Sequence, residues 1–305
     1  MPDSGPGSFN ICSIADEILA RAFWKWMPKK LFRQRIFDSA PYGKLLLSGG
    51  ATESFIVSSL DKIIGRNIFV NNDFDFCKIQ NAVSILGSNF TSTTLIDVGA
   101  NIGTVCIPSV NRKLFKKAIA IEPDPLNFNI LTANVSINDL SDKIVLCNMA
   151  LGRRDNEELT LELSEDNHGD HRIRVSEVDG EYNELLRKTI RIKSETLDKV
   201  VGDVDPNGTL IWLDVQGFEG HVLAGATKAL QVRTPLVIEF WPYAMVRSGS
   251  YDQLKKCVLS AGYKFIHHIN PGPFSLYSEP ISEDSLDALY KNVSEAGYFT
   301  DLLLT

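Results

Sequence analysis

Three acids close three apolar runs in this chain: Asp97 in LIDVGANIGT, Glu122 in AIAIEPDP and Asp214 in IWLDVQG. The first is followed by two glycines, Gly99 and Gly103, with Ala100 and Asn101 between them. A strand that ends in a glycine turn and runs into a helix is the usual floor of a nucleotide crevice. The dinucleotide fingerprint G-x-G-x-x-G is not met, because its third slot, position 106, is Cys, and no Gly-Lys-Ser/Thr follows to make a P-loop. A carboxylate aimed into such a crevice repels a pyrophosphate and suits a ligand that carries an ammonium and a second positive centre. S-adenosylmethionine carries both, and Glu122, closing the next apolar run, stands where a nucleotide-binding sheet keeps the acid for its ribose.

A second constellation lies in NHGDHR, which brings His168, Asp170, His171 and Arg172 within five positions. Histidine is the ordinary general base near neutrality; Asp170 would orient it, and Arg172 would bind an acceptor hydroxyl or carboxylate. The plainer reading is a polar turn with solvated histidines. A third makes His168 and His171 metal ligands completed by Asp214 or Glu239. An H-x-x-H in a loop lacks the helical spacing of zinc proteases, so no metal is expected. Glu239, ending PLVIEF, is a further base candidate beside Asp214, and Trp241 offers an aromatic wall for an acceptor. Glu219 suits the positive end of the helix it opens.

These residues need a scaffold that lines up strand ends. After Thr91, apolar strands alternate with helical stretches: LIDV, a helix from Ile102 to Phe115, KAIAIE, a helix from Leu126 to Asn138, KIVLCNMAL, TLIWLDV, a helix from Glu219 to Leu230, and PLVIEF. Strand followed by helix, repeated, predicts an α/β fold with a doubly wound, mostly parallel sheet, apolar throughout because both faces are covered. Between Leu151 and Lys199 the charged alternation ELTLELSEDNHGDHRIRVSEV predicts an inserted β-hairpin or small antiparallel sheet. YKFIHHI and PFSLYSE predict two more strands around Asn270–Pro271–Gly272–Pro273, with the last residues helical or loose. The expected division is an N-terminal, mainly helical appendage over 1–90 and a catalytic domain over 91–305 with its insert at about 151–199. In the appendage, Thr52 to Ile64 and Cys77 to Leu86 read as helices and Asn67 to Val70 as a strand.

The segment from Ile11 to Ile36 holds six Lys or Arg between Arg21 and Arg35 and no acid among them, with Phe23, Trp24 and Trp26, and Pro28 to break the helix. It reads as a helical cap packed through its aromatics, as a surface for a second copy in a homodimer, or as a contact with an anionic membrane. The formal charge of −7 argues against a general nucleic-acid binder. Five scattered cysteines suggest neither a disulfide framework nor a zinc site, and the N-terminus lacks the pattern of a secretory signal, so a cytoplasmic protein is expected.

Taken in order, LIDVGANIGT, IEPDPLNFNILTANVSIN and IWLDVQGFE with PLVIEF resemble the FkbM family of class I S-adenosylmethionine-dependent methyltransferases, over about Thr94 to Phe240. The resemblance implies a seven-stranded Rossmann-like methyltransferase sheet. It implies that Asp97, Gly99, Ala100 and Gly103 hold the methionine end, with Asn101 also binding the cofactor, that Glu122 holds the ribose with Pro123 and Asp124 beside it, and that Asn148 and Met149 flank the adenine. Asp214 would face the sulfonium and the acceptor. The NHGDHR stretch is similar to one in several family members. Two departures stand out: Trp212 replaces a common Lys, and Gln216 replaces a Glu. The family implies O-methylation of a sugar, glycan or secondary-metabolite hydroxyl, with a His or carboxylate base. The alternatives are a cofactor-binding scaffold without chemistry and an NAD-linked oxidoreductase.

Overall fold

The computed structural model describes residues 29–50, 52–270 and 277–305. The aromatic part of the basic N-terminal segment (Phe23, Trp24, Trp26 and Pro28), Cys12 and the Pro271–Gly272–Pro273 turn lie outside the described residues.

The chain enters through α1 (Lys29–Ser39), the antiparallel hairpin β1 (Leu45–Gly49) and β2 (Ser54–Ser58), α2 (Ile64–Asn71) and α3 (Phe76–Leu86). Two expectations are corrected here. Ser54–Ser58, expected within a helix from Thr52, is a strand. Asn67–Val70, expected as a strand, lies inside α2. Long-range bonds decide the first case, because the side chains of Asn134 and Asn138 act as a substitute neighbouring strand. Asn134 accepts from the Ile56 amide at 2.6 Å and donates to the Ile56 carbonyl at 3.1 Å; Asn138 does the same for Ser54 at 2.9 and 2.7 Å. In the second, Ile68, Phe69 and Val70 are buried from successive positions of one helix, which a short apolar window does not distinguish from a strand.

Then follow β3 (Thr94–Val98), α4 (Cys106–Asn111), β4 (Lys117–Ile121), α5 (Pro125–Ile137) and β5 (Ile144–Cys147). α5 starts where its sequence says it should: Asp124 caps it by accepting from the Asn127 amide at 2.8 Å, and Pro125 takes the first turn. The insert comprises β6 (Ala150–Leu151), β7 (Glu157–Leu163), β8 (Arg172–Ile173) and β9 (Lys188–Glu195), a small sheet in the order β6-β9-β7-β8. The chain returns through α6 (Leu197–Val201), β10 (Thr209–Leu213), α7 (Glu219–Leu223), α8 (Thr227–Gln231), β11 (Leu236–Phe240), α9 (Pro242–Ser248) and α10 (Tyr251–Ala261). It ends in β12 (Phe265–His268), β13 (Ser278–Pro280), α11 (Glu283–Ala296) and β14 (Thr300–Leu304).

The main sheet runs β13-β12-β14-β11-β10-β3-β4-β5, parallel from β11 to β5, with β14 antiparallel to β11. It has eight strands where seven were expected, counting the short edge strand β13. The last residues, expected to be helical or loose, hold a helix and then a buried central strand, β14. Successive residues of one strand feed two cores on opposite faces: Leu95 and Trp212 enter one, Ile96 and Leu213 the other. The first core also takes in Phe37, Phe55, Val57 and Phe69, so the N-terminal elements cover one face of the sheet.

Candidate active site

The strand registers place the acids. Ile121, Val98, Leu213 and Ile238 are neighbours in one row across β4, β3, β10 and β11. One residue further along each strand direction stand Glu122, Gly99, Asp214 and Glu239, and Asp301 of β14 pairs directly with Glu239. Strand order reverses between β3 and β10, where such sheets open a crevice beyond their carboxyl ends.

The glycine turn is shaped by that row. Gly99 has φ +87°, and a Cβ there would lie 1.8 Å from the backbone oxygen of Asp214. Asn101, also left-handed, donates its amide to Glu122 Oε2 at 2.8 Å, while Glu122 Oε1 accepts from the Asp124 amide at 2.9 Å. The Glu122 carboxyl is thus fixed in orientation, and burial pushes it up to about 8. Asp97 is turned into the protein: Oδ2 accepts from the Cys106 amide at 3.0 Å and Oδ1 has no partner among the described residues. Burial raises it to about 7. A Cβ on Gly103 would lie 2.5 Å from Ile107 Cδ1 and 2.9 Å from Leu131 Cδ1.

A cavity of about 450 Å³ opens at this edge. Of the residues expected there, Gly99, Asn101, Glu122, Pro123, Met149, His168, Asp170, His171, Asp214, Glu239 and Trp241 line it. Asp97, Ala100, Gly103, Asn148 and Arg172 do not. Asn148 folds back to donate to the Glu122 carbonyl at 2.9 Å, and Ala100 belongs to the core.

At one part of the wall the side-chain amide of Gln216 donates to Asp214 Oδ1 and to Glu239 Oε2, each at 2.7 Å. The residue that departs from the family pattern therefore ties two acids together. Its left-handed backbone (φ 54°) is held by Glu219, whose Oε1 accepts from the Val215 and Gly217 amides at 3.1 and 3.2 Å. Burial raises Asp214 to about 6 and Glu239 well above the carboxylate range, with Asp301 adding repulsion to both and Asp214 to Glu239. Lys78 of α3 reaches the same wall, 2.7 Å from Asp301 Oδ2 and 2.6 Å from Asp75 Oδ2.

The insert supplies the opposite kind of chemistry. Asp170 accepts from Arg172 Nε at 2.5 Å and Arg187 Nη2 at 2.6 Å, so both its oxygens hold guanidinium groups. Arg172 also donates to Glu184 Oε1 at 3.1 Å and lies over the rings of Trp241 and Tyr182, 4.4 and 4.8 Å from their centroids. Glu184 accepts from Tyr243 Oη at 2.5 Å as well. This network binds the insert to α9 and sets Tyr182 and Trp241 at the cavity wall. His171 Nδ1 accepts from the Ser164 amide at 3.1 Å, which leaves its proton on Nε2, 3.9 Å from Asp124 Oδ2. Burial, with His168 and Arg187 nearby, lowers it to about 3. The His168 carbonyl accepts from the side-chain amides of Asn101 and Asn127 at 3.1 and 3.0 Å, pinning the insert to the glycine turn.

Lys78, Asp301, Tyr182 and Glu184 were not singled out in the sequence. Asp301 had one signal, an acid inside the apolar run TDLLL; Lys78 and Glu184 had none beyond their charge. Among the described residues no group of three or more His, Cys, Asp or Glu is arranged to hold a metal ion. No helix among them is long and apolar enough to cross a membrane.

The model of the methyltransferase FkbM domain matches residues 97–265, more than half of the chain. The protein belongs to the FkbM methyltransferase family. No curated protein matches it. Among solved structures it is similar to the FkbM methyltransferase of Methylobacillus flagellatus KT, with 17% identity over 70% of this chain and 44% of that one, TM-score 0.42. It thus spans less than half the length of that protein. It is also similar to M. jannaschii TYW2 in complex with AdoMet (13%, 87% and 89%, TM-score 0.38). A third likeness is to the precorrin-6y C5,15-methyltransferase of Geobacter metallireducens GS-15 (10%, 74% and 84%, TM-score 0.37).

The FkbM domain uses S-adenosylmethionine, and the residues present fit it. Glu122 presents a carboxyl of fixed orientation to the cavity, as a ribose diol needs. The matched segment lines the cavity with carboxyls and no Lys or Arg, which suits a cationic amino-acid ligand better than a pyrophosphate.

Proposed function

We propose that this FkbM protein transfers a methyl group from S-adenosylmethionine to a hydroxyl of a sugar, glycan or secondary metabolite, and that the Asp214–Glu239 pair accepts the hydroxyl proton. When bound, the cofactor supplies an electrophilic methyl on a sulfonium, so the protein's part is to hold an acceptor in line and take a proton. The observation that carries the reading is the cavity that joins Glu122 to the Gln216-bridged acids. Two carboxyls so close ionise in two steps, leaving one carboxylate and one shared proton over a span of pH near neutrality.

His171 is placed in the wall as a donor, since Nδ1 is taken by Ser164 and Nε2 carries the proton. His168 keeps a place among base candidates through its position in the cavity. Asp170 and Arg172 support the wall through their mutual bond and through Arg187 and Glu184, and Trp241 with Tyr182 offers the flat apolar faces on which a sugar ring or polyketide packs. The acceptor is a small molecule or glycan, and no basic face for nucleic acid is needed.

Radiolabelled methyl transfer into an extract of host cells tests this. Labelled carbohydrate or a labelled hydroxylated metabolite is the expected result; labelled RNA or protein, or no label at all, would sink it. Thermal shift with S-adenosylhomocysteine against NAD separates the oxidoreductase alternative, because only a true ligand stabilises by mass action.

A further inference from the structure

Lys78 lies outside the family-matched segment, yet its ammonium ends inside the cavity with a side chain only 12% exposed. Its partners are Asp75, at the start of its own helix, and Asp301, on the last strand. Asp301 and Glu239 are direct partners in the β11–β14 ladder, and both are buried. Like charges directly opposite in an antiparallel pair repel. Glu239 also shares the Gln216 amide with Asp214. Three buried carboxyls thus meet with one neutral amide and one ammonium. Were all ionised, the cluster would carry a net charge of about −2, which a buried site resists by holding protons.

The ammonium decides where such a proton stays. Facing the cluster are Asp75 and the Phe299 ring beside Lys78, Asp97 behind Asp214, and Glu219 beneath the Gln216 turn. Each of these acids adds repulsion, and among the described residues that line the cavity Lys78 is the one Lys or Arg. Contact at 2.7 Å pulls Asp301 toward its carboxylate, while burial, with Asp75 nearby, leaves the Asp301 carboxyl raised on balance.

We propose that Lys78 is a positioning residue for the base: its ammonium, set against Asp301 and close to the Asp214–Glu239 pair, offsets the charge that Asp301 brings to that pair, so that the pair keeps a single shared proton and one oxygen stays free to accept another. The proposal rests on the reading of that pair as the base. Without the ammonium nothing offsets Asp301, and the further proton that the cluster takes up near neutrality, shared with the pair, costs the pair its free carboxylate.

The test compares wild type with Lys78→Met, Lys78→Arg and the double variant Lys78→Met/Asp301→Asn. Melting temperature is followed from pH 5 to pH 8. Buried carboxyls with values raised above those of the unfolded chain weigh against folding increasingly as pH rises. The Tm loss of Lys78→Met should therefore grow with pH, Lys78→Arg should follow wild type, and Asp301→Asn should remove most of the growth. A loss that is the same at every pH, or one that Asp301→Asn does not relieve, would overturn the proposal. In radiolabelled transfer into host-cell extract, the acid limb of the Lys78→Met profile should move up by about one pH unit, a tenfold drop in rate on that limb; an unmoved limb counts against the positioning role. If wild type labels nothing, the functional reading fails, while the melting series still decides the charge cluster.

Discussion

Gly99 and Asp214 touch backbone to backbone: a Cβ on Gly99 would sit 1.8 Å from the Asp214 carbonyl oxygen. The first glycine of the turn is therefore required by the strand beside it, before any ligand is considered. Gly99→Ala meets both that oxygen and a left-handed φ of +87°. It should lose more than about 3 kcal/mol of stability, judged by urea unfolding, and the folded fraction should bind S-adenosylhomocysteine weakly because Asp214 has moved.

Glu122→Gln separates binding from folding. Glu122 stands at about 8 in the folded chain against 4.5 as its ordinary value, so its ionisation opposes folding as pH rises through that interval. Relative to wild type, the variant should gain stability between pH 4.5 and pH 8, measured by chemical denaturation at several pH values. Measured above about pH 8, where the wild-type carboxyl is ionised, its affinity for S-adenosylhomocysteine should fall by about tenfold or more, the usual loss of a hydrogen bond to a charged acceptor.

Asp170→Ala tests whether the HGDHR stretch is architecture or recognition. Removing this carboxylate leaves Arg172 and Arg187 without it inside the insert, a loss of about 3–5 kcal/mol by the behaviour of buried ion pairs broken from one side. Unfolding curves should show that loss while calorimetry shows S-adenosylhomocysteine affinity within about twofold of wild type, since the cofactor-facing turn is held by other bonds.

His171, lowered to about 3, should stay neutral from pH 5 to pH 8. Imidazole carbon shifts in labelled protein, assigned with His171→Gln, should show no titration in that range. A midpoint between 5 and 8 would restore His171 as a base.

The glycine turn beside the cavity is legible because its logic is local. An acid that closes an apolar run, followed by a glycine that must take a left-handed turn, is written within five residues, and Asp124–Pro125 spells out the helix start. The other side is assembled from afar. Lys78 meets Asp301 across more than two hundred positions, and no periodicity carries such a pairing. The strand Ser54–Ser58 reads as helix until Asn134 and Asn138 are placed against it. β14 leaves little trace in the sequence because TDLLL, five buried residues that follow α11, is too short to show a period. Gln216 looked like the loss of a functional acid, and only the fold shows that its amide joins two others.

The side chains of Asn134 and Asn138 that grip the N-terminal hairpin project from the same helix whose start Asp124 caps behind Glu122. The elements that carry Lys78 are thus fastened to the domain by a pair of carboxamides instead of by a strand ladder. Such a joint fixes the register of the hairpin through its backbone groups alone, and leaves Phe55 and Val57, buried in the core, to decide which face turns inward.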